Sequence, residues 1–170
     1  MIPERNKLVV LKFKRQELLY DCKNYAYIEG DVMKTDDDHD RHQVFDIAEE
    51  GNVDRLTRVF DLAIAECIEF CYPYSKVDVD DFTEMDDELN ETVEYVINLK
   101  VPDDFSQTTV NLLEKYIHEF LVCRALGDWF TITYPDKATA WLAKAEDAKE
   151  QITETLNHRI KRVRRTLNPF

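Results

Sequence analysis

The sequence predicts a mainly α fold: a helical bundle of about four helices with a small antiparallel β-sheet and a long C-terminal helix. Three observations carry that reading. Only 3 glycines and 5 prolines punctuate 170 residues, too few for a loop-rich all-β chain. Apolar residues recur through most of the sequence at three- and four-residue steps, the spacing of one helix face. Two short stretches instead alternate at every second residue, the period of a half-buried strand. With 44% hydrophobic residues the chain can bury one substantial core, so residues 1–170 read as a single domain, with 158–170 a basic C-terminal helix end and tail.

The first strand is read from Val9, Leu11 and Phe13, which alternate with Val10, Lys12 and Lys14 and leave its second face basic. From Arg15 the period lengthens. Leu18, Cys22, Tyr25 and Ala26 keep helical spacing, and that helix ends near Gly30. The stretch TDDDHDRH, residues 35–42, has no apolar period and reads as a solvated loop. Asp36, Asp38 and Asp40 resemble the start of a calcium loop. Arg41 stands where that loop needs glycine and Ile47 where it needs glutamate, so no specific metal site is expected.

Gly51 and Asn52 break the chain, with Asn52 expected as an N-cap. Val53, Leu56, Phe60, Ala63, Ile64, Cys67, Ile68 and Cys71 then mark one face of a core helix, which Pro73 ends. From Asp78 to Glu94 there are nine acids and no base, a solvated loop that is also an acidic counterpart to the basic tail. In TVEYVINLKV, residues 92–101, Val93, Tyr95, Ile97, Leu99 and Val101 share one face. This second strand is the natural partner of the first.

Ser106 is the expected N-cap of a central helix built on Val110, Leu113, Ile117, Phe120, Leu121, Trp129 and Phe130. Pro135 and Asp136 open the last helix. Its stripe of Ala138, Trp141, Ala145, Ala148 and Ile152 is continued by Leu156, Ile160, Val163 and Leu167. Such a helix runs about thirty residues, or roughly 45 Å, until Asn168 and Pro169 stop it. Trp141 is expected to pack near Trp129 or Phe130.

Charge is unevenly spread along this frame. The chain has a net charge of −13 but ends HRIKRVRRTLNPF, with Arg159, Lys161, Arg162, Arg164 and Arg165 giving +5. Residues 1–15 carry a further +4, which leaves −22 for residues 16–158. An acidic body with basic ends is repelled by phosphate over most of its surface. It is better suited to meeting another acidic surface end-on, a copy of itself included.

Other function classes find little support. No apolar run of about 18 residues is present to span a bilayer, and MIPERNKLVV lacks the apolar core of a secretory signal. A soluble protein kept in the cell that makes it is expected, and Cys22, Cys67, Cys71 and Cys123 read as reduced core thiols. Phosphate-cradle, dinucleotide and C-x-x-C motifs are missing, and HEFLV at His118 is not the H-E-x-x-H zinc pattern. His118 reads as a surface or packed histidine. Arg124, among Leu121, Val122 and Leu126, reads as either a buried ion pair with a carboxylate or a subunit contact. No catalytic, cofactor or metal residue is assigned, and the protein is not expected to be an enzyme.

The PDDF entry to the central helix, its DWF end, the YPDKA turn and the helix reaching NHR together resemble the small helical head-to-tail connector proteins of tailed bacteriophages. The likeness covers residues 102–159 best, and NYAYIEGDVM at 24–33 more loosely. The sheet and the acidic 78–94 stretch depart from it. The resemblance implies a non-enzymatic virion structural protein made in the host cytoplasm and placed at the neck, assembled beneath a portal as a ring, commonly of twelve copies. Portal and next neck or tail protein would be its partners, with DNA sliding through an acidic lumen without specific binding and no membrane involved. A C-terminal arm would dock onto the portal, which assigns Arg159, Lys161, Arg162, Arg164, Arg165, Asn168, Pro169 and Phe170 to a protein interface. Two rival readings remain: an acidic DNA mimic that blocks a DNA-binding protein, and a carboxylate-based enzyme.

Overall fold

The computed structural model describes residues 6–157. Strand β1 (Asn6–Lys14) runs directly into helix α1 (Arg15–Asp31), followed by α2 (Asp38–Phe45), a 3₁₀ turn at Asp46–Ala48 and α3 (Val53–Phe70). A short α4 (Tyr72–Ser75) precedes an irregular segment, then come β2 (Glu94–Pro102), α5 (Gln107–Thr133) and α6 (Pro135–Asn157). Four helices of 17 to 27 residues, α1, α3, α5 and α6, form the bundle. The two strands pair antiparallel at its flank.

The sheet register follows from which side chains must be dry. Val9 stands opposite Leu99, Leu11 opposite Ile97 and Phe13 opposite Tyr95, so the inward rows of both strands coincide. Leu11, Phe13, Tyr95, Ile97, Leu99 and Val101 are all buried, and the Phe60 ring of α3 lies 6.2 Å from that of Tyr95. Val93 is exposed and the strand begins one residue later than its alternation suggests.

Helices α5 and α6 form a hairpin joined through Tyr134 alone. Ser106 caps α5, its Oγ accepting the Thr108 amide hydrogen, while Pro135 opens α6 with no amide hydrogen to satisfy. The two helices pack tightly at Gly127, where a Cβ would lie 2.5 Å from Leu142 Cδ2. Only glycine fits there without moving Leu142.

Helix α1 lies across the hairpin. The Trp141 indole donates to Glu29 Oε1 (3.2 Å), Lys137 Nζ sits 3.2 Å from Glu29 Oε2, and Trp141 packs 5.1 Å from the Tyr25 ring and 6.1 Å from Phe130. At 3% exposure, Trp141 is the junction of three helices, as its place in the apolar stripe of α6 implies. Trp129 joins α5 to α2 by donating to the Val44 carbonyl (3.2 Å).

Three local expectations are corrected. Residues 38–42 are helical, because Asp37 caps α2 by accepting the His39 amide hydrogen (2.8 Å) and Val44 anchors its far end in the core. Asn52 caps nothing through its side chain; it donates to the Asp46 carbonyl (2.7 Å) and so braces the turn before α3. Helix α3 ends at Phe70, and Pro73 lies inside α4 rather than terminating α3. The expected continuation of α6 through Leu167 lies outside the described residues.

Candidate functional site

The residues assigned to docking from the sequence, Arg159, Lys161, Arg162, Arg164, Arg165, Asn168, Pro169 and Phe170, lie outside the described residues. Among the described residues two surface features concentrate unsatisfied chemistry. They are the acidic segment between α4 and β2, and the sheet that follows it.

The acidic segment, residues 76–93, has no regular structure. Its start is anchored, since Ser75 is buried and donates to the Ile68 carbonyl (2.6 Å). Beyond that point Val77, Val79, Phe82 and Met85 are 79–88% exposed. Placing four large apolar side chains in water forfeits about 1.5–3 kcal/mol apiece relative to full burial. Two ion pairs tether the segment to the helices, Arg58 to Asp87 (3.3 Å) and Arg15 to Glu91 (3.9 Å), while Lys76 and Asp78 (3.3 Å) pair within it. All three carboxylates are solvated, so the segment is held weakly.

The outer face of the sheet carries Leu8, Val10, Lys12 and Lys14 from β1 and Glu94, Val96, Asn98 and Lys100 from β2. Leu8, Val10 and Val96 are exposed. Lys12 reaches Glu94 (3.0 Å) and Lys14 reaches Glu17 (3.6 Å), both in water. Among the described residues the sheet has two strands, and β1 packs chiefly on β2 and on α1, which continues from it. The far edge of β1 is therefore left without a strand partner.

A third feature is an open cleft of about 550 Å³ between α3 and α5, lined by Asp54, Arg55, Arg58, Val59, Leu62 and Asp128. Its two arginines already have partners. Arg55 grips Asp128 through Nε (3.0 Å) and Nη2 (2.9 Å), and Arg58 holds Asp87. Nearby Arg124 pairs with Glu66 at 3.5 Å, both about one-third exposed; this is the ion pair expected from its apolar surroundings, at the surface rather than buried.

The remaining candidates are structural in their contacts. His118 shares a 2.7 Å hydrogen bond with Asp21, tying α5 to α1. Asp36 to His42, the calcium-like stretch, is occupied by the capping of α2 and by Arg41, which donates to the Met33 and Thr35 carbonyls (3.3 and 3.0 Å). Among the described residues no cluster of three or more His, Cys, Asp or Glu is placed to hold a metal ion.

Cys22, Cys67, Cys71 and Cys123 are free thiols and fully buried. Burial pushes the Cys71 thiol up to about 12; burial, then the Glu119 carboxylate, pushes Cys123 up to about 12 as well. Cys22 and Cys67 are raised further by the same desolvation. Neutral, dry thiols of this kind are poor nucleophiles.

Sequence reasoning singled out the charge of residues 78–94 but passed over the apolar residues interleaved with it. The visible signal is the alternation of Val77-Asp78-Val79-Asp80, a strand pattern in a stretch that pairs with no strand among the described residues. The free edge of β1 carried no such signal, since a strand's neighbours are set by topology. No helix among the described residues is long and apolar enough to cross a membrane. In comparisons with protein-family models, with curated proteins and with solved structures, nothing matches this chain.

Proposed function

We propose that the chain is a non-catalytic structural subunit that assembles with copies of itself into a ring, as a head-to-tail connector of a tailed-phage virion would. The observation that carries this reading is the exposure of Val77, Val79, Phe82 and Met85 on a weakly tethered acidic segment. A chain that leaves such residues in water while sealing a dry core elsewhere gains from a protein partner that covers them. Excess negative charge suits a subunit whose ring must let DNA pass without holding it. In this reading the basic end, Arg159 to Phe170, docks on an acidic portal surface, and the ring sits between portal and tail.

The test is the mass of the full chain in solution, by native mass spectrometry and light scattering, with electron microscopy of the assembled fraction. A closed ring is the expected result. A chain that stays monomeric at all concentrations, or that instead forms a tight complex with a basic DNA-binding protein as a DNA mimic would, overturns the reading.

A further inference from the structure

Resting on the self-assembly just proposed, we infer that ring neighbours are joined by strand addition: residues 77–80 of one copy pair with the free edge of β1 in the next. Three observations converge on this pairing.

The first is the open edge. An edge strand presents a row of backbone donors and acceptors that another extended chain completes. Strand β1 is nine residues long, unbroken by proline, and pairs on one side only. The second is the pattern. Val77-Asp78-Val79-Asp80 alternates with a period of two, and so do Leu11-Lys12-Phe13-Lys14. In a shared sheet, Val77 and Val79 extend the inward apolar row of Leu11 and Phe13, while Asp78 and Asp80 fall beside Lys12 and Lys14 on the outer face. Opposite charges side by side on neighbouring strands fix the register, and a one-residue slip would set aspartate among the inward apolar residues.

The third is the availability of both surfaces. The existing partners of these lysines, Glu94 and Glu17, and of Asp78, Lys76, are exposed pairs that exchange at little cost. The donor segment departs from α4, which packs beside β2, whereas the acceptor edge belongs to β1. Donor and acceptor are thus different surfaces on one subunit, a heterologous contact, which propagates from copy to copy and closes into a ring when the rotation permits.

Charge reversal on the full chain tests this directly. Lys12→Glu with Lys14→Glu, and separately Asp78→Lys with Asp80→Lys, should each abolish the assembled species while leaving the circular dichroism spectrum and melting temperature close to those of the unaltered chain. Mixed in equal amounts, the two variants should assemble again, because each donor then meets an edge of opposite sign. If the unaltered chain forms a ring and both variants do too, the strand-addition contact is wrong and the ring reading stands. Two monomeric variants that fail to rescue each other also overturn the contact. If the unaltered chain is monomeric, the ring reading falls with it; protected amides at residues 77–80 in that monomer would mean that the segment closes on its own sheet.

Discussion

The α5–α6 hairpin and the segment of residues 76–93 spend apolar residues in opposite ways. In the hairpin Leu113, Ile117, Leu121, Phe130, Trp141, Ala145 and Ile152 recur at helical steps, and all are buried. In the segment Val77, Val79, Phe82 and Met85 stand between acids and meet solvent. The hairpin's residues are organised by a period that a single chain satisfies by folding. In the segment only Val77 and Val79 follow a regular period, one of two, beside a sheet that has no third strand among the described residues. Stability should therefore depend on the first region and assembly on the second, and each expectation below probes that division.

The largest effect is expected from alkali, because all four thiols, Cys123 in the hairpin and Cys22, Cys67 and Cys71 in α1 and at α3, lie in the buried core that the hairpin helps to build. Each thiol's folded value is raised from the ordinary 9.0 by burial. A raised value contributes stability that is complete below the unfolded value and is lost as pH climbs above it. At pH 10 an unfolded thiol is mostly ionised and a folded one is not, which favours unfolding by roughly 1 kcal/mol per thiol and on the order of 5 kcal/mol for four. Tyr95, raised by burial and by Asp61, acts in the same direction. Denaturant titrations at pH 7.5 and 10 should show that loss. Unchanged stability, or rapid thiol modification of the folded chain at pH 7.5, would show that the packed region is not as dry as its burial implies.

Trp141→Ala comes next, at about 3–5 kcal/mol, the usual cost of emptying a buried tryptophan site. The cavity would open between α1, α5 and α6, and Glu29 Oε1 would lose the indole donor. A loss under about 1 kcal/mol by chemical denaturation would mean that the site collapses or was never filled.

These two sites also mark what was legible in the sequence. Trp141 and the cysteines could be placed in the core because each sits on a helical stripe, and a stripe has one dry side whatever it packs against. The pairing of the strands was legible for the same reason: Leu11 and Phe13, like Ile97 and Leu99, need a common dry face. Helix α2 was not legible, because Val44 is the lone buried residue among its eight and the helix depends on the Asp37 cap and on Trp129 reaching Val44 from 85 residues away. The candidate interface was half legible. Its charge could be counted in Asp78 to Glu94, but the open edge of β1 exists only once topology has left the sheet at two strands.

Gly127 offers a smaller effect within the hairpin. Gly127→Val should cost about 1–3 kcal/mol by overpacking, since its side chain would enter the space of Leu142 Cδ2 and Cγ. Pairing it with Leu142→Ala should cost less than the two single changes added, because the second change empties the space that the first overfills. Strict additivity in a double-mutant cycle would place the strain elsewhere than between these two helices.

The smallest effect sharpens the comparison most. Phe82→Ser with Met85→Ser removes two of the largest apolar side chains of the segment, yet the stability of the isolated subunit should change by no more than about 0.5 kcal/mol, as exposed positions usually do. These side chains contact water in the folded chain and in the unfolded chain alike, so folding gains almost nothing from them. The same logic applies to the tether: Asp87→Asn releases Arg58 from a carboxylate that is 98% exposed, which should be hard to detect in a melt. Both variants are to be measured by denaturant unfolding at protein concentrations low enough to keep the chain monomeric, where partner burial cannot contribute. A loss of about 2 kcal/mol or more for the serine pair would mean that Phe82 and Met85 are buried within their own subunit. The contrast between the two regions would then collapse, since the segment would belong to the fold that the hairpin builds and would not be free to meet a neighbour.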